Sequence, residues 1–197
     1  MRATEFITEY RDAKDPAFLK WFGNSKVVDG SGDPLMLFHG TLFKDEIKSF
    51  HDLSHFGTSG SANQRIDDLM KQQHRGMQHV GQGKEQPHVY PVFLKIENPL
   101  KMPDLGEWWD SDVWFQIFAN EKLRKAVFDQ YGSKVADVDA YDEEYELVDY
   151  FEEVGVNPWE WLASQGFDGF YYVNAHEDAG NTSWVPFSGK QVMSAFR

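Results

Sequence analysis

The segment LMLFHGT, residues 35–41, joins the pattern of a buried strand to a polar end. Four apolar residues in succession are typical of a strand in the core of a protein. His39, Gly40 and Thr41 then supply an imidazole, a main chain without a side chain, and a hydroxyl, and hydrophobic burial explains none of them. Because a histidine next to a glycine offers a ligand both a ring nitrogen and an open main chain, we expect the strand to end at a binding site.

The composition favours one folded domain, which we predict over residues 1–197. Of the 197 residues, 41% are hydrophobic and 16% are aromatic, which is enough apolar material for one sizeable core. The absence of cysteine excludes disulfides and thiolate metal sites and fits a reducing compartment. No apolar run approaches the roughly 18 residues of a membrane span, and residues 1–16 lack the apolar segment of a secretory signal. We therefore expect a cytoplasmic protein with no membrane partner.

The chain is strongly acidic, and much of the acid is concentrated in residues 137–153. The formal net charge is −13, which disfavours binding to the phosphates of nucleic acid. The segment 137–153, DVDAYDEEYELVDYFEE, contains nine Asp or Glu residues and neither Lys nor Arg. The simplest interpretation is a solvated helix face. The alternative is a docking surface for a basic partner, or a mimic of nucleic acid.

Apolar periodicity and turn residues predict an α+β order of elements rather than a regular βαβ alternation. Asp15 and Asn157 are expected to cap helices next to Pro16 and Pro158. Pro91 favours an edge position or a bulge for its strand, because proline donates no ladder hydrogen bond. The predicted helices are 4–22, 59–75 and most of 107–165; the predicted strands are 26–28 and 35–38, joined as a hairpin, then 89–100, 170–173 and 184–187; 76–88 is predicted to be a loop.

The histidines do not form a convincing metal motif. His51 and His55 have the HxxxH spacing that places two imidazoles on one helix face, but Asp52 stands where a zinc protease has glutamate. The following Phe-Gly-Thr-Ser-Gly is typical of a loop rather than a helix. We therefore predict no metal site. The chain also lacks G-x-G-x-x-G, the P-loop motif and G-x-S-x-G, so the dinucleotide-binding, P-loop and hydrolase functions of those motifs have no support.

Three short polar segments remain as candidates for a site. Residues 39–41 end one predicted strand, residues 55–58 (His-Phe-Gly-Thr) precede a predicted helix, and Glu177 lies beside Asp178 in a Gly/Asn loop before a predicted strand. Taken together, they predict one site that holds a polar, planar ligand.

These segments belong to five ordered blocks in which the chain resembles mono-ADP-ribosyltransferases of the poly(ADP-ribose) polymerase-like, diphtheria-toxin-like superfamily. The resemblance is to the group in phage-head-associated and polyvalent phage proteins, and residues 110–160 match it only as helical filler. The blocks are FLKWFGNSKVVDGSGDPLMLFHGT, HFGTSGSANQR, VYPVFLKIENPLKMPDLGEW, GFDGFYYVNAHEDAGNTSW and VPFSGKQVMSA. The resemblance implies an ADP-ribosyltransferase fold. Such a fold has a split antiparallel β-sandwich core, flanking helices and, here, a helical insertion around 107–165.

The resemblance also implies a reaction. Such enzymes break the bond between nicotinamide and ribose in NAD through a transition state that resembles an oxocarbenium ion, as in glycoside cleavage. This glycosyl transfer moves ADP-ribose to a protein or nucleic acid, releases nicotinamide and requires no metal. With a net charge of −13, we expect a protein acceptor rather than a nucleic acid.

The family pattern assigns roles to the first two segments. His39 would hydrogen-bond the adenosine ribose, the main chain of Gly40 would bind the nicotinamide carboxamide, and Thr41 would support a ribose hydroxyl. His55 falls where many relatives have tyrosine, and its imidazole would stack on the nicotinamide ring. The remaining predicted NAD-binding residues of this segment are Phe56, Gly57 and Thr58.

The third segment departs from the family pattern. Relatives often carry a catalytic glutamate eight residues before a glutamine that corresponds to Gln191, and here that position is Ser183. We assign Ser183 to NAD binding and predict that Glu177, together with His39 and His55, is catalytic. Glu177 would bind a hydroxyl of the nicotinamide ribose and stabilise the cation. The alternative is that Glu177 is a solvated loop acid.

Other functions of the same fold stay open at this stage. The chain could be a catalytically silent member that binds NAD or a protein, or an NAD glycohydrolase. An RNA 2′-phosphotransferase needs clustered Arg and Lys, which residues 39–41 and 55–58 do not contain. The resemblance also implies a phage or prophage context, or a bacterial toxin or effector acting in a bacterial or phage-infected cell.

Overall fold

A computed structural model of the chain describes residues 11–43, 47, 49–74, 86–106, 108–135 and 143–196. The chain divides into two units, one formed by Met1–Asp104 with Asp168–Arg197 and the other by Leu105–Phe167. In the described residues, both sheets lie in the first unit and the second unit contains helices. The single domain over 1–197 stays a prediction.

The first unit contains two three-stranded sheets. One has the order β1 (Leu37–Phe43), β2 (Gln86–Leu94) and β6 (Val192–Ser194), with antiparallel neighbours. In the other, β4 (Gly169–Val173) lies between β3 (Pro99–Lys101), which is parallel to it, and β5 (Thr182–Pro186), which is antiparallel. The mixture of helices and mainly antiparallel sheets agrees with the α+β class, whereas the split sandwich stays a prediction.

Two residues between β1 and the next helix connect the sheets. Phe56 exchanges main-chain hydrogen bonds of 2.9 and 2.8 Å with Trp184 in β5, and Gly57 exchanges bonds of 3.0 and 2.8 Å with Phe38 in β1. Successive residues of an extended chain direct their main-chain groups to opposite sides, so one dipeptide can pair with both sheets. The segments on either side of this dipeptide are thereby fixed to both sheets at once.

The apolar core lies on both faces of β2. Val92 and Leu94 belong to a buried cluster with Phe56 and Trp184, while Phe93 belongs to a second cluster. Alternate residues of a strand point to opposite faces, so a central strand covered on both faces needs a continuous apolar run. The second cluster also contains Phe18, Phe22 and Ala195.

The expectation that Pro91 marks an edge position or a bulge is wrong, because β2 is the central strand of its sheet and its pairing with β1 continues in register through Pro91. Pro91 faces Phe38, whose N–H and C=O are already bonded to Gly57, so β1 needs no hydrogen bond from residue 91. On the other side, the Pro91 carbonyl accepts a 2.9 Å bond from the N–H of Ala195, just beyond β6. The missing N–H therefore falls where the ladder ends.

The helices of the first unit agree with the sequence signals where they are described. Helix α1 (Pro16–Phe22) begins after Asp15, whose carboxylate accepts the N–H of Ala17 at 2.7 Å, as predicted. Of the predicted helix 4–22, residues 4–10 lie outside the described residues and 11–15 are not helical. Helix α2 (Ser59–His74) matches the prediction for 59–75.

The predicted hairpin and loop are found only in part. Val28 and Pro34 form an isolated antiparallel bridge, as the predicted hairpin requires. Of the loop predicted over 76–88, residues 76–85 lie outside the described residues, and 86–88 are the start of β2 rather than a loop.

In the described part of the second unit, four helices pack around stacked aromatic rings. Asn157 caps the last helix through bonds from the N–H groups of Trp159 and Glu160, as predicted, and the ring of Trp114 stacks on that of Phe151 at 4.5 Å. The helices are α3 (Asp110–Ala119), α4 (Glu121–Val135), α5 (Glu143–Glu153) and α6 (Pro158–Ser164). Among the described residues, no helix is long and apolar enough to cross a membrane.

Only part of the acidic segment 137–153 is described, and that part is amphipathic. In α5, Leu147, Val148 and Phe151 are buried. The exposed positions of the same helix are acidic: Glu146, Asp149, Glu152 and Glu153. A solvated helix face therefore accounts for residues 146–153.

Helix α2 approaches β1 so closely that residue 40 must be glycine. A Cβ on Gly40 would lie 2.0 Å from the carbonyl oxygen of Ala62, and this neighbour is main chain that cannot rotate away. We predict that Gly40→Ala lowers the free energy of unfolding by about 2–3 kcal/mol through overpacking, measured by urea unfolding. Gly30→Ala is the control, because its Cβ would meet nothing within 4 Å. Equal stability of the two variants would contradict the close approach.

Candidate active site

The expectation that residues 39–41 end a strand is wrong, because β1 continues to Phe43, which pairs with Gln86 of β2. His39 therefore lies inside β1, and one of its ring nitrogens is hydrogen-bonded to the main chain. Its Nδ1–H donates a 2.8 Å hydrogen bond to the carbonyl oxygen of His55. Because a carbonyl only accepts, this bond places the proton of a neutral ring on Nδ1 and leaves Nε2 as an acceptor. Burial lowers the pKa of His39; the bond to His55 opposes this shift, and the positive charge of Arg65 adds to it. At neutral pH, Nε2 can therefore accept a hydrogen bond from a hydroxyl group of a ligand.

His55 is a second neutral imidazole at the site. Its Nδ1 lies 2.9 Å from the hydroxyl of Tyr172 in β4, and the two are hydrogen-bonded. Burial, with a smaller effect from the positive charge of Arg65, lowers the pKa of His55 to about 4. Burial, followed by the nearby carboxylate of Asp104, raises the pKa of the Tyr172 phenol. Both partners are therefore uncharged at neutral pH.

Gly40 presents its main chain to the side of β1 away from β2. Phe38 exchanges both of its main-chain bonds with Gly57, so the alternation of the antiparallel ladder turns the N–H and C=O of Gly40 to that same side. Within the described residues, neither group has a hydrogen-bond partner outside the strand pair. The next residue, Thr41, is buried opposite His88 of β2.

Phe56 and Gly57 form the frame of the site. The ring of Phe56 is 1% exposed and lies 5.4 Å from that of His39, which rests on it. A Cβ on Gly57 would lie 3.0 Å from the hydroxyl oxygens of Ser61 and Ser183, so a larger residue would require these side chains to move. Direct contact of Phe56 or Gly57 with NAD stays a prediction.

Thr58 caps helix α2 and also contacts the loop that follows β4. Its Oγ1 accepts the N–H of Ser61 at 3.0 Å, which is the bond of an N-cap residue, and its hydroxyl is hydrogen-bonded to the carboxylate of Asp178. The start of α2 and the loop before β5 are thereby joined.

Ser183 is buried against the frame. Its hydroxyl oxygen accepts a 3.2 Å bond from the Asn174 amide, and the side chain lies beside Gly57. Ser183 is therefore packed closely against the dipeptide that joins the two sheets.

Glu177 lies in a loop whose main chain is bonded to side chains. Asn174 accepts the N–H groups of His176 and Glu177 at 2.9 and 2.7 Å, and Asp104 accepts that of Ala175 at 2.7 Å. The Ser61 hydroxyl donates to the carbonyl of Glu177 at 3.1 Å. The main chain that carries the acid is thus held in place from α2, β4 and Asp104.

The carboxylate of Glu177 is partly buried and faces a cation. Its side chain is 27% exposed, and Oε1 lies 3.8 Å from Nη1 of Arg65 in α2. Burial raises the pKa of Glu177; Arg65 opposes this shift, whereas the carboxylates of Asp68 and Asp104 add to it. The side chain therefore differs from the solvated loop acid of the alternative interpretation.

Hydrogen bonds join the three predicted segments. His39 is bonded to the carbonyl of His55, the Thr58 hydroxyl to the carboxylate of Asp178, and Ser61 of α2 to the carbonyl of Glu177. The positive charge of Arg65 lowers the pKa of His39 and His55 and opposes the raised pKa of Glu177, whereas the negative charge of Asp104 acts in the opposite direction on His55 and Glu177. The structure thus brings together the imidazoles and the acid of the three polar segments.

Three residues of this site were not predicted to belong to it: Arg65, Asp104 and Tyr172. Arg65 and Asp104 lie inside the blocks SANQR and KMPDLGEW, but nothing in the spacing of those blocks distinguishes them. Tyr172 is one of two adjacent tyrosines, and only the pleat of β4 decides that Tyr172 rather than Tyr171 is the more buried.

The HxxxH pair is not preserved as a pair. His51 is exposed, whereas His55 is bonded to Tyr172. In the part of the chain that the structure describes, no group of three or more His, Cys, Asp or Glu side chains is placed to hold a metal ion.

Comparison with known proteins identifies a matching family. A family model described as "ADP-Ribosyltransferase in polyvalent proteins" matches residues 29–197, which include every residue of the site. No curated protein and no solved structure matches the chain.

The low pKa of His55 predicts a pH-dependent stability. Between an unfolded pKa of 6.5 and a folded pKa of about 4, the unfolded chain binds a proton that the folded site excludes, so the folded state loses stability as the pH falls. We expect His55→Gln, which keeps a polar partner for Tyr172, to reduce the stability lost between about pH 7 and about pH 4.5 by up to about 3 kcal/mol. Urea unfolding at both pH values measures this. His51→Gln should lose as much stability over this pH range as the unmodified chain. An equal loss of stability in His55→Gln would refute the assignment of the pH dependence to His55.

Proposed function

Because the chain belongs to the family of ADP-ribosyltransferases in polyvalent proteins, we propose that it transfers one ADP-ribose unit from NAD to a macromolecular acceptor and releases nicotinamide. NAD is the substrate of this family. The observation that carries the proposal is that hydrogen bonds link the three polar segments: His39 is bonded to His55, and the loop of Glu177 is bonded to Ser61 of the helix that Thr58 caps.

The reaction needs little covalent participation by the protein. The bond between C1′ of the ribose and the ring nitrogen of nicotinamide breaks, and its electron pair leaves with neutral nicotinamide. The positive charge moves to the ribose as an oxocarbenium ion, and the acceptor nucleophile then bonds to C1′ and loses a proton. Glu177 would stabilise the ribose cation and bind a ribose hydroxyl, acting from a site partly removed from water.

The two imidazoles suit a substrate that carries a positive ring. Nicotinamide in NAD is a cationic pyridinium, so a protonated His55 stacked on it would repel it. The burial that lowers the pKa of His55 to about 4 keeps the ring neutral. Nε2 of His39 would accept a hydrogen bond from a hydroxyl of the adenosine ribose. The N–H and C=O of Gly40 would form hydrogen bonds with the nicotinamide carboxamide.

The acceptor and the setting are proposed from charge and resemblance. A net charge of −13 favours a protein acceptor over a nucleic acid, in the cytoplasm of a bacterial or phage-infected cell. The acidic face of α5 within 137–153 would serve a basic partner. NAD glycohydrolase activity, and NAD or protein binding without turnover, are the alternatives that the experiments below distinguish.

The proposal predicts that binding and chemistry depend on different residues. His39→Ala should weaken NAD binding at least about tenfold, because it removes a ribose contact. Glu177→Gln should leave NAD binding nearly unchanged but lower nicotinamide release by about 100-fold or more, because the amide carries no charge for the cation. Calorimetry measures the first effect, and chromatography of nicotinamide from purified protein with labelled NAD and a bacterial lysate measures the second.

The exposed acid of α6 provides the matched control. Glu160→Gln makes the same substitution at an exposed residue of the second unit and should retain full activity. Nicotinamide release without labelling of any lysate component would support the glycohydrolase. Stabilisation by NAD without any release would support the silent binder, and neither binding nor release would refute the proposal.

A further inference from the structure

Gln64 of α2 bonds the main chain on both sides of Glu177. Its Nε2 donates to the carbonyl oxygen of His176 at 2.8 Å, and its Oε1 accepts the N–H of Asp178 at 2.8 Å. Only one orientation of the side-chain amide makes both bonds, so the two bonds also fix the amide itself. Gln64 lies inside the block HFGTSGSANQR, but the family pattern described above assigns it no role.

The loop needs external support at this point. Asp178 has a φ of 54°, in the left-handed region that non-glycine residues rarely adopt. A residue in this region persists when its surroundings hold it, and Gln64 holds its N–H while Thr58 bonds its carboxylate. Releasing Gln64 would free the main chain beside Glu177 to leave this conformation.

Helix α2 provides successive residues to the two parts of Glu177. Gln64 holds the main chain on either side of the acid, and Arg65 lies 3.8 Å from its carboxylate. Helix α2 is itself capped by Thr58 and packed on β1 at Gly40. It therefore fixes the position of Glu177 relative to β1, the strand that carries His39. The distance between the acid and the imidazole is thus set through one helix.

We propose that Gln64 is a positioning residue that holds Glu177 in its catalytic position. The inference rests on the proposed function, because Gln64 is given no contact with substrate and acts through Glu177. Its two bonds keep the carboxylate partly buried and directed at the ribose cation.

The activity test uses two variants of Gln64. Gln64→Ala removes the side chain, and Gln64→Met keeps its length without either hydrogen bond. Both should lower kcat by about 10- to 100-fold, since a displacement of about 1 Å can cost that much, and both should leave the Kd for NAD within about two-fold. The acidic limb of the pH–kcat profile should move to lower pH, because a released Glu177 is more solvated and loses the cause that raises its pKa.

The neighbouring amide provides the control. Asn63 is exposed on the same helix, and its Nδ2 donates to the carbonyl of Ser59 within α2. Asn63→Ala should therefore leave kcat and the pH profile unchanged. If the Gln64 variants behave like Asn63→Ala, or if they lose NAD affinity instead of kcat, the positioning role is refuted.

A second measurement separates this inference from the proposed function. The Glu177 carboxyl is titrated by carbon-13 NMR in the unmodified chain, Gln64→Met and Asn63→Ala. Only Gln64→Met should move its pKa back towards 4.5. The same shift in a protein that releases no nicotinamide would support the placement of Glu177 while refuting the proposed function. An unshifted titration in Gln64→Met would refute the role of Gln64 whether or not the protein is active.

Discussion

The site depends on the paired main-chain bonds of Phe56 and Gly57. Phe56 bonds to β5 and Gly57 to β1, so the residues on either side of this dipeptide have no freedom to change register. His55 therefore directs its carbonyl to His39 and its ring to Tyr172, while Thr58 begins α2. A slip of one residue would exchange the two directions of pairing and move His55 away from both partners. The imidazoles are thus placed by backbone geometry, with Phe56 filling the core beneath them.

Desolvation, rather than the overall charge, sets the protonation of this site. A chain with a net charge of −13 should favour protonated histidines, yet burial lowers the pKa of both His39 and His55. The dispersed acids act through solvent that screens them, whereas burial acts directly on the ring. Arg65 adds to the effect because it is close. Burial and the nearby positive charge of Arg65 therefore outweigh the chain's excess of acidic residues in setting the pKa of both histidines.

The sequence was informative wherever the signal was local, and less so where the contact was distant. Helix caps are a local signal, because Asp15 and Asn157 bond to residues two and three positions further on, and both caps are found as predicted. Pro91 was expected at an edge or a bulge because it lacks an N–H, and its actual pairing with Phe38, already bonded to Gly57, depends on three separate segments. Tyr172 reaches His55 across 117 residues, and no periodicity encodes such a contact. The sequence therefore located the polar segments, but residues 39–41 lie inside β1 rather than at the end of a strand, and the groups that complete the site were not predicted.

The loop that carries Glu177 has a consequence for the order of folding. Its main-chain groups bond to Ser61, Gln64 and Asp104, and the first two contacts span 116 and 114 residues. Contacts so far apart in the chain carry a large closure entropy and form after the local helices and hairpins. Because the bonds to Ser61 and Gln64 come from α2, the loop has this shape only while α2 is in place on β1. A partly unfolded chain would hold the imidazoles and the acid apart, so the site is completed only when the first unit is folded.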